Sequence, residues 1–351
     1  MKKSLISIWI IFSLSIILSG NVLGEKIISP EKAVSLALEE NLDLKIAELE
    51  LESARYNYRK NRAINLTGKS RTQQLKAEYE LAEAENTYHN TNSDIVNEII
   101  SKYYDLYLAE KMITIKEKSR KLEEILLEDI KKLVETGEKG ELELLQQKNT
   151  YNTEGYNLKE VRHNYRQFLR EFKNLTGINS SIEIELKKAV KPEILEIERE
   201  KVREKVLDNN LQLNLHKKNL KLVEAQKKKN LVRSIPELSK KIMENDYLIE
   251  QIKKEVIRED LEKEVEILYF EFQQSIKKIE LERENLNESR ASYNIAEQQF
   301  ESGLNTRRDL LQVELEKLEA EYEYISAIGN YYINEKRLKQ LITPEAGVLS
   351  K

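Results

Sequence analysis

The sequence has no cysteine, one tryptophan, three histidines, four prolines and ten glycines among 351 residues. Without cysteine there is no disulfide framework, no thiolate metal site and no N-terminal Cys to carry a lipid. His89, His163 and His216 are scattered along the chain, which argues against a His-based site. Gly and Pro together are about 4% of the residues, against ~12% in an average protein, leaving little material for the turns of an all-β or α/β domain. An excess of one charge is also missing. The 58 Lys and Arg nearly balance 62 Asp and Glu, for a net −4. That total makes no case for nucleic acid, which calls for a clustered basic surface.

What is present is 40% apolar and 34% charged residues. High charge at low net charge suits long amphipathic helices laced with ion pairs rather than a disordered tail. No Ser/His/Asp set, Gly-rich phosphate loop or metal-ligand spacing is found. No catalytic residue, cofactor or metal ligand is therefore assigned, and the chain does not read as an enzyme.

Residues 1–24 read as an export signal to be set aside from the fold. Lys2 and Lys3 form a basic start, Leu5 to Leu18 is apolar apart from three serines, and Val22 and Gly24 suit cleavage before Glu25. An uncleaved anchor is disfavoured, because this run falls short of the ~20 residues that span a bilayer. No other stretch is as hydrophobic.

Ser29-Pro30-Glu31 opens the first helix, with Ser29 as N-cap and Pro30 in the first helical position. Apolar residues from Ala33 to Ala54 recur at steps of three and four, predicting one stripe to about Ala63. A break is expected at Asn65 to Gly68. The helical pattern then runs uninterrupted from Lys69 to Thr136-Gly137, roughly 100 Å of helix at 1.5 Å per residue. A rod of that length has no core of its own and needs partners along its length. Its expected stripe includes Leu75, Ala82, Val96, Ile99, Tyr103, Leu106, Leu122 and Leu133, interrupted by a polar stretch from Asn86 to Asn92. Gly137 and Gly140 bracket a turn, and a returning helix runs from Glu141 to Thr176-Gly177. The stretch 178–192 is the one strand-like segment, with Ile182, Ile184 and Leu186 alternating against charges.

The second half repeats the first. Asn41-Leu42-Asp43-Leu44 returns as Asn210-Leu211-Gln212-Leu213, Tyr103-Tyr104 as Tyr269-Phe270, Glu135-Thr136-Gly137 as Glu301-Ser302-Gly303, and Leu144-Leu145-Gln146 as Leu310-Leu311-Gln312. Such ordered recurrence marks a tandem structural repeat. The expected fold is all-α: two long antiparallel coiled-coil hairpins in tandem. Its expected parts are a first repeat at 25–177, a linker at 178–192, a second repeat at 193–343 and a tail at 344–351. The abundant tyrosines are expected to pack between helices with hydroxyls reaching water. Lys227 to Lys229 and Glu314 to Glu323 are expected on solvated faces and in inter-helix ion pairs.

The layout resembles the TolC family of outer-membrane channels from Ile28 to about Thr343. The resemblance rests on the opening Ser29 to Leu44, on Phe300-Glu301-Ser302-Gly303 with Arg308-Asp309-Leu310-Leu311-Gln312, and on Asn164-Tyr165 and Asn330-Tyr331-Tyr332 in the returning helices. It implies a homotrimeric helical barrel that conducts substrates in tripartite efflux or type I secretion. The partners would be a periplasmic adaptor and an inner-membrane pump, and the place the periplasm and outer membrane of a Gram-negative-type cell. Carried over, the aperture carboxylates fall on Asp309 and on Glu143 of the first repeat, with Gln312 and Gln146 where the family's second acid would be. The adaptor-docking tips fall on Thr136, Gly137, Ser302, Gly303 and Leu304. The simpler reading of these acids is a helix start favoured by the dipole, and of these glycines a turn that needs positive φ.

One departure is large. The family's barrel strands lie between the first and long helices of each repeat, and a membrane strand needs about 9–11 residues. The breaks near Asn65 and Pro236 are far too short, so little or no β-barrel is expected, and any membrane association is expected to be indirect. The alternative function is a periplasmic coiled-coil structural or adaptor protein that lost channel activity with its strands.

Overall fold

The computed structural model describes residues 27–68, 70–231 and 236–342. The export signal and the C-terminal tail lie outside the described residues. The elements, in order, are β1 (Ile27–Ile28), α1 (Pro30–Glu40), α2 (Leu42–Gly68), α3 (Arg71–Glu135), α4 (Glu141–Thr176), β2 (Glu185–Leu186), α5 (Arg199–Asn209), α6 (Leu211–Leu231), α7 (Glu237–Glu301) and α8 (Arg307–Ile342). The repeat is a repeat of structure. α1 and α5 have 11 residues each, α3 and α7 have 65, and α4 and α8 have 36.

Two boundaries differ from the periodicity. The first stripe is not one helix, because the chain breaks at Asn41, where ψ is 121°. The Asn41 side-chain oxygen accepts from the Leu44 amide at 2.9 Å and so caps α2. Asn210 does the same for Leu213 at 2.9 Å. The Asn-Leu-x-Leu motif is thus a helix-to-helix joint used twice. An apolar stripe continues across it, which is why the spacing alone conceals it. The second difference is that α2 runs through Asn65 to Gly68, so the break falls just before α3, at Ser70. Ser29 caps α1 as expected, accepting from the Lys32 amide at 3.2 Å.

Each long helix pairs with its returning helix, α3 with α4 and α7 with α8, and α3 also packs on α8 to join the repeats. The core lies where α1 and α5 lean on these helices. Tyr103, Phe172, Phe272, Ile279, Ile328, Tyr331 and Leu338 are at most 1% exposed, and burying each apolar side chain of this kind stabilises by ~1.5–3 kcal/mol. Gly329 permits the closest approach between repeats. A Cβ there would lie 2.8 Å from Cγ of Tyr104.

The connector from Ile178 to Glu198 runs past the expected Pro192 before α5 starts, and only β2 within it is strand. β2 pairs in parallel with β1, Ile28 opposite Leu186. The rest is held by tyrosines. The Tyr103 hydroxyl lies 3.1 Å from the carbonyls of Ile28 and Lys187. Tyr107 accepts from the Ala189 amide, Tyr331 reaches Glu193 and Leu195, and Tyr269 donates to the Ile197 carbonyl. These hydroxyls therefore bind backbone rather than water. An irregular segment laid over a core exposes amides and carbonyls that need partners, and tyrosine spans the gap with an apolar ring and a polar tip.

Candidate functional site at the hairpin tips

The two hairpins turn by the same device. At the end of α3, the Glu138 amide donates to the Leu133 carbonyl at 2.8 Å and the Gly137 amide to Val134 at 3.0 Å. At the end of α7, Leu304 donates to Gln299 at 2.8 Å and Gly303 to Phe300 at 3.0 Å. This pairing closes a helix through one left-handed residue. Gly137 has φ of 77° and Gly303 of 71°. Nothing lies within 4 Å of a Cβ built at either, so conformation alone selects glycine. Thr136 and Ser302 donate their hydroxyls back to Leu133 and Gln298, at 3.1 and 2.8 Å. Leu304, 78% exposed, projects from the second tip.

The two acids cap the returning helices. The Asp309 carboxylate accepts from the Thr306 hydroxyl at 2.6 Å and the Thr306 amide at 3.2 Å. The Asp309 amide in turn donates to that hydroxyl at 3.2 Å, completing a reciprocal cap. The Thr306 hydroxyl and amide hold the carboxyl below the usual aspartate range, with Arg308 adding to the effect. Glu143 accepts from the Gly140 amide at 3.2 Å. No hydrogen bond or ion pair joins Asp309 to Glu143 among the described residues.

Ion pairs set how the hairpins lie together. Lys118 meets Glu314 at 2.8 Å and Lys111 meets Glu321 at 3.6 Å, linking α3 to the acidic run of α8. Because α8 runs antiparallel to α3 in this register, both tips lie at one end of the bundle. A small apolar cluster of Ile115, Leu122, Leu311 and Leu315 seals the seam leading to them. The polar stretch after Asn86 borders a cleft of about 680 Å³ with Asn210, Gln212, Glu264 and Arg337. There the Ser93 hydroxyl and the Asn97 carbonyl oxygen are buried without a hydrogen-bond partner.

Two faces escaped the sequence reading. α2 leaves Leu42, Leu49 and Tyr56 exposed, and α7 leaves Ile242, Ile249 and Val256 exposed. Both sets recur every seven residues, a signal visible in the sequence. Each was hidden by the stronger stripe on its helix's buried side. Among the described residues, no cluster of three or more His, Asp or Glu is arranged to hold a metal ion, and no helix is long and apolar enough to cross a membrane.

Residues 243–343 match the family model of the outer membrane efflux protein. No curated protein matches the chain. Solved structures share the fold. The chain is similar to the Campylobacter jejuni CmeC outer membrane channel at TM-score 0.62 and 13% identity, covering 90% of this chain and 85% of that one. The outer membrane protein VceC of Vibrio cholerae gives TM-score 0.60 and 14% identity over 89% and 95%. The MtrE outer membrane channel of Neisseria gonorrhoeae gives 0.54 and 14% over 89% and 88%. The resemblance to TolC-like efflux proteins thus extends through both repeats in fold and lies in the second repeat in sequence.

Proposed function

We propose that copies of this chain pack head to tail into a closed ring of helices, the periplasmic conduit of an efflux or type I secretion apparatus, with three copies as the resemblance implies. The carrying observation is the pair of open seams. In the second repeat, α6 packs along both α3 and α7. Its counterpart α2 packs extensively on α3 alone and leaves the Leu42–Leu49–Tyr56 stripe exposed. α7, the counterpart of α3, offers Ile242, Ile249 and Val256. A seven-residue apolar repeat on an exposed helix face is one half of a coiled-coil contact. Repeating the in-chain arrangement between copies lays α2 of one copy against α7 of the next. Such a heterologous contact closes into a ring when its rotation permits.

In this assembly the tips stand at one mouth. Thr136, Gly137, Ser302, Gly303 and Leu304 form the surface for a periplasmic adaptor, with an inner-membrane pump beyond it. Glu143, exposed, and Asp309, half-buried, ring the aperture even while capping and favour cations. The connectors favour a second reading, a periplasmic scaffold without transport. Only residues 69 and 70 join α2 to α3, and only 232–236 join α6 to α7. Neither holds a strand of the ~9–11 residues that cross an outer membrane.

Analytical ultracentrifugation tests the ring. The protein is expected as a trimer, and Leu49→Lys with Ile249→Lys as a monomer of unchanged helicity. A monomeric parent protein at all concentrations overturns the ring. A trimer whose gene deletion leaves export intact supports the scaffold.

A further inference from the structure

The near-zero net charge conceals a segregated distribution. Between Glu52 and Glu78 the sequence has seven Lys or Arg and no acid, and between Glu224 and Glu244 it has six against Glu237 alone. The fold brings these stretches to one end of the bundle. α2 turns into α3 there, α6 packs on both α3 and α7, and Tyr79 of α3 lies within electrostatic reach of Glu250 of α7. This is the end opposite the glycine tips. By contrast, the first tip from Glu128 to Lys148 carries six acids against four bases.

Part of the positive charge is neutralised locally. Lys76 pairs with Glu80, Lys227 with Glu244, Lys228 with Glu224 and Lys240 with Glu237. Arg59, Lys60, Arg62, Arg71, Lys229 and Lys241 are exposed and form no ion pair among the described residues. Among them stand two exposed apolar side chains, Leu66 at 77% and Leu238 at 75%. Unpaired cations repel one another at a helical apex, and leucines left in water cost free energy. Both costs are relieved by a surface with anionic headgroups outside and acyl chains beneath.

We infer that this apex is a docking surface for an anionic phospholipid bilayer, with the helical rod standing away from it. The cations take the headgroups, and Leu66 and Leu238 enter the acyl boundary. Among the described residues no strand is long enough to cross the bilayer, and the contact is independent of ring formation and of export. It also goes beyond an association made only through partners. A nucleic acid would satisfy the cations alone and leave both leucines in water.

The test is co-sedimentation of the protein, as isolated from cells, with vesicles of phosphatidylcholine alone and of phosphatidylcholine with phosphatidylglycerol. Binding is expected only to the anionic vesicles, and to fall steeply at about 0.5 M salt, where the screening length is only ~4 Å. Arg59→Glu with Lys60→Glu and Arg62→Glu is expected to weaken it more than about tenfold at unchanged helicity. Leu66→Ser with Leu238→Ser is expected to abolish the fraction that resists salt. Equal binding to neutral vesicles, no binding to either, unchanged binding of the charge-reversed protein, or tighter binding to an oligonucleotide than to the anionic vesicles would overturn the proposal.

Discussion

The Tyr331 hydroxyl, on the last helix, accepts from the amide of Leu195 at 3.0 Å, 136 residues earlier in the chain. The Glu193 carbonyl at 3.1 Å and the Glu335 carboxylate at 3.2 Å are within reach of its proton. Its ring packs on Phe272, with centroids 5.6 Å apart. One side chain thus ties the connector between repeats to the core of the second. Tyr103 does the corresponding work in the first, where its ring meets Phe172.

Removing that hydroxyl is therefore expected to loosen the connector without emptying the core. Tyr331→Phe should cost about 1 kcal/mol, since a half-buried amide loses its partner. Hydrogen exchange at Leu195 should accelerate more than exchange in α3. Unchanged exchange there would mean that the connector is held by its neighbours instead.

The same tyrosines predict alkaline sensitivity. Burial pushes Tyr331 up to about 12, with Glu335 adding to the shift, and raises Tyr103 and Tyr104 further. A phenol whose folded pKa exceeds its ordinary ~10 contributes stability that is full below pH ~10 and is lost as pH rises through the folded value. Melting temperature should fall above pH ~10, and the phenolate absorbance of these residues should appear only with unfolding. Early, reversible titration of all 17 tyrosines would contradict this.

Glycine substitutions separate conformation from space. Gly137→Val and Gly303→Val should each cost roughly 1 kcal/mol or more from a β-branched residue at positive φ. Gly329→Ala should cost about 1–3 kcal/mol because its methyl meets the Tyr104 ring. It should also weaken the contact between repeats, which limited proteolysis of the connector would report.

At the second tip, Thr306→Ala should destabilise the start of α8 by ~1 kcal/mol through loss of the cap. The sign with pH follows from the lowered carboxyl of Asp309. The cap's contribution is present above the ordinary aspartate value of ~3.9 and is lost as pH falls through the folded one. Asp309→Asn should blunt that acid limb, as read from urea midpoints across pH.

Purified protein in planar bilayers is expected to show no discrete channels. Spanning lipid demands a closed barrel or helices of ~20 apolar residues, and the connectors that would carry strands hold two and five residues. Step conductances in the absence of any other protein would overturn this.

Much of the architecture was legible in the residues. The duplicated Glu-Thr-Gly and Glu-Ser-Gly turns, the N-cap Ser29 and the unbroken run between Lys69 and Thr136 reflect local rules of helix starting and stopping, which need no knowledge of neighbours. Those rules set two hairpins in tandem and put Asp309 and Glu143 in the first turns of returning helices. They did not reveal the joint at Asn41, because there a side chain replaces a backbone bond while the stripe continues. Nor could they show where the tyrosine hydroxyls go. Tyr331 and Leu195 meet only because α8 folds back over the connector, and a hydroxyl's partner is decided by what lies opposite it in space. The open stripes on α2 and α7 and the basic apex have the same origin. Periodicity shows that a face is apolar and composition that a stretch is charged, but only the packing decides which faces are already covered and which charges stand together.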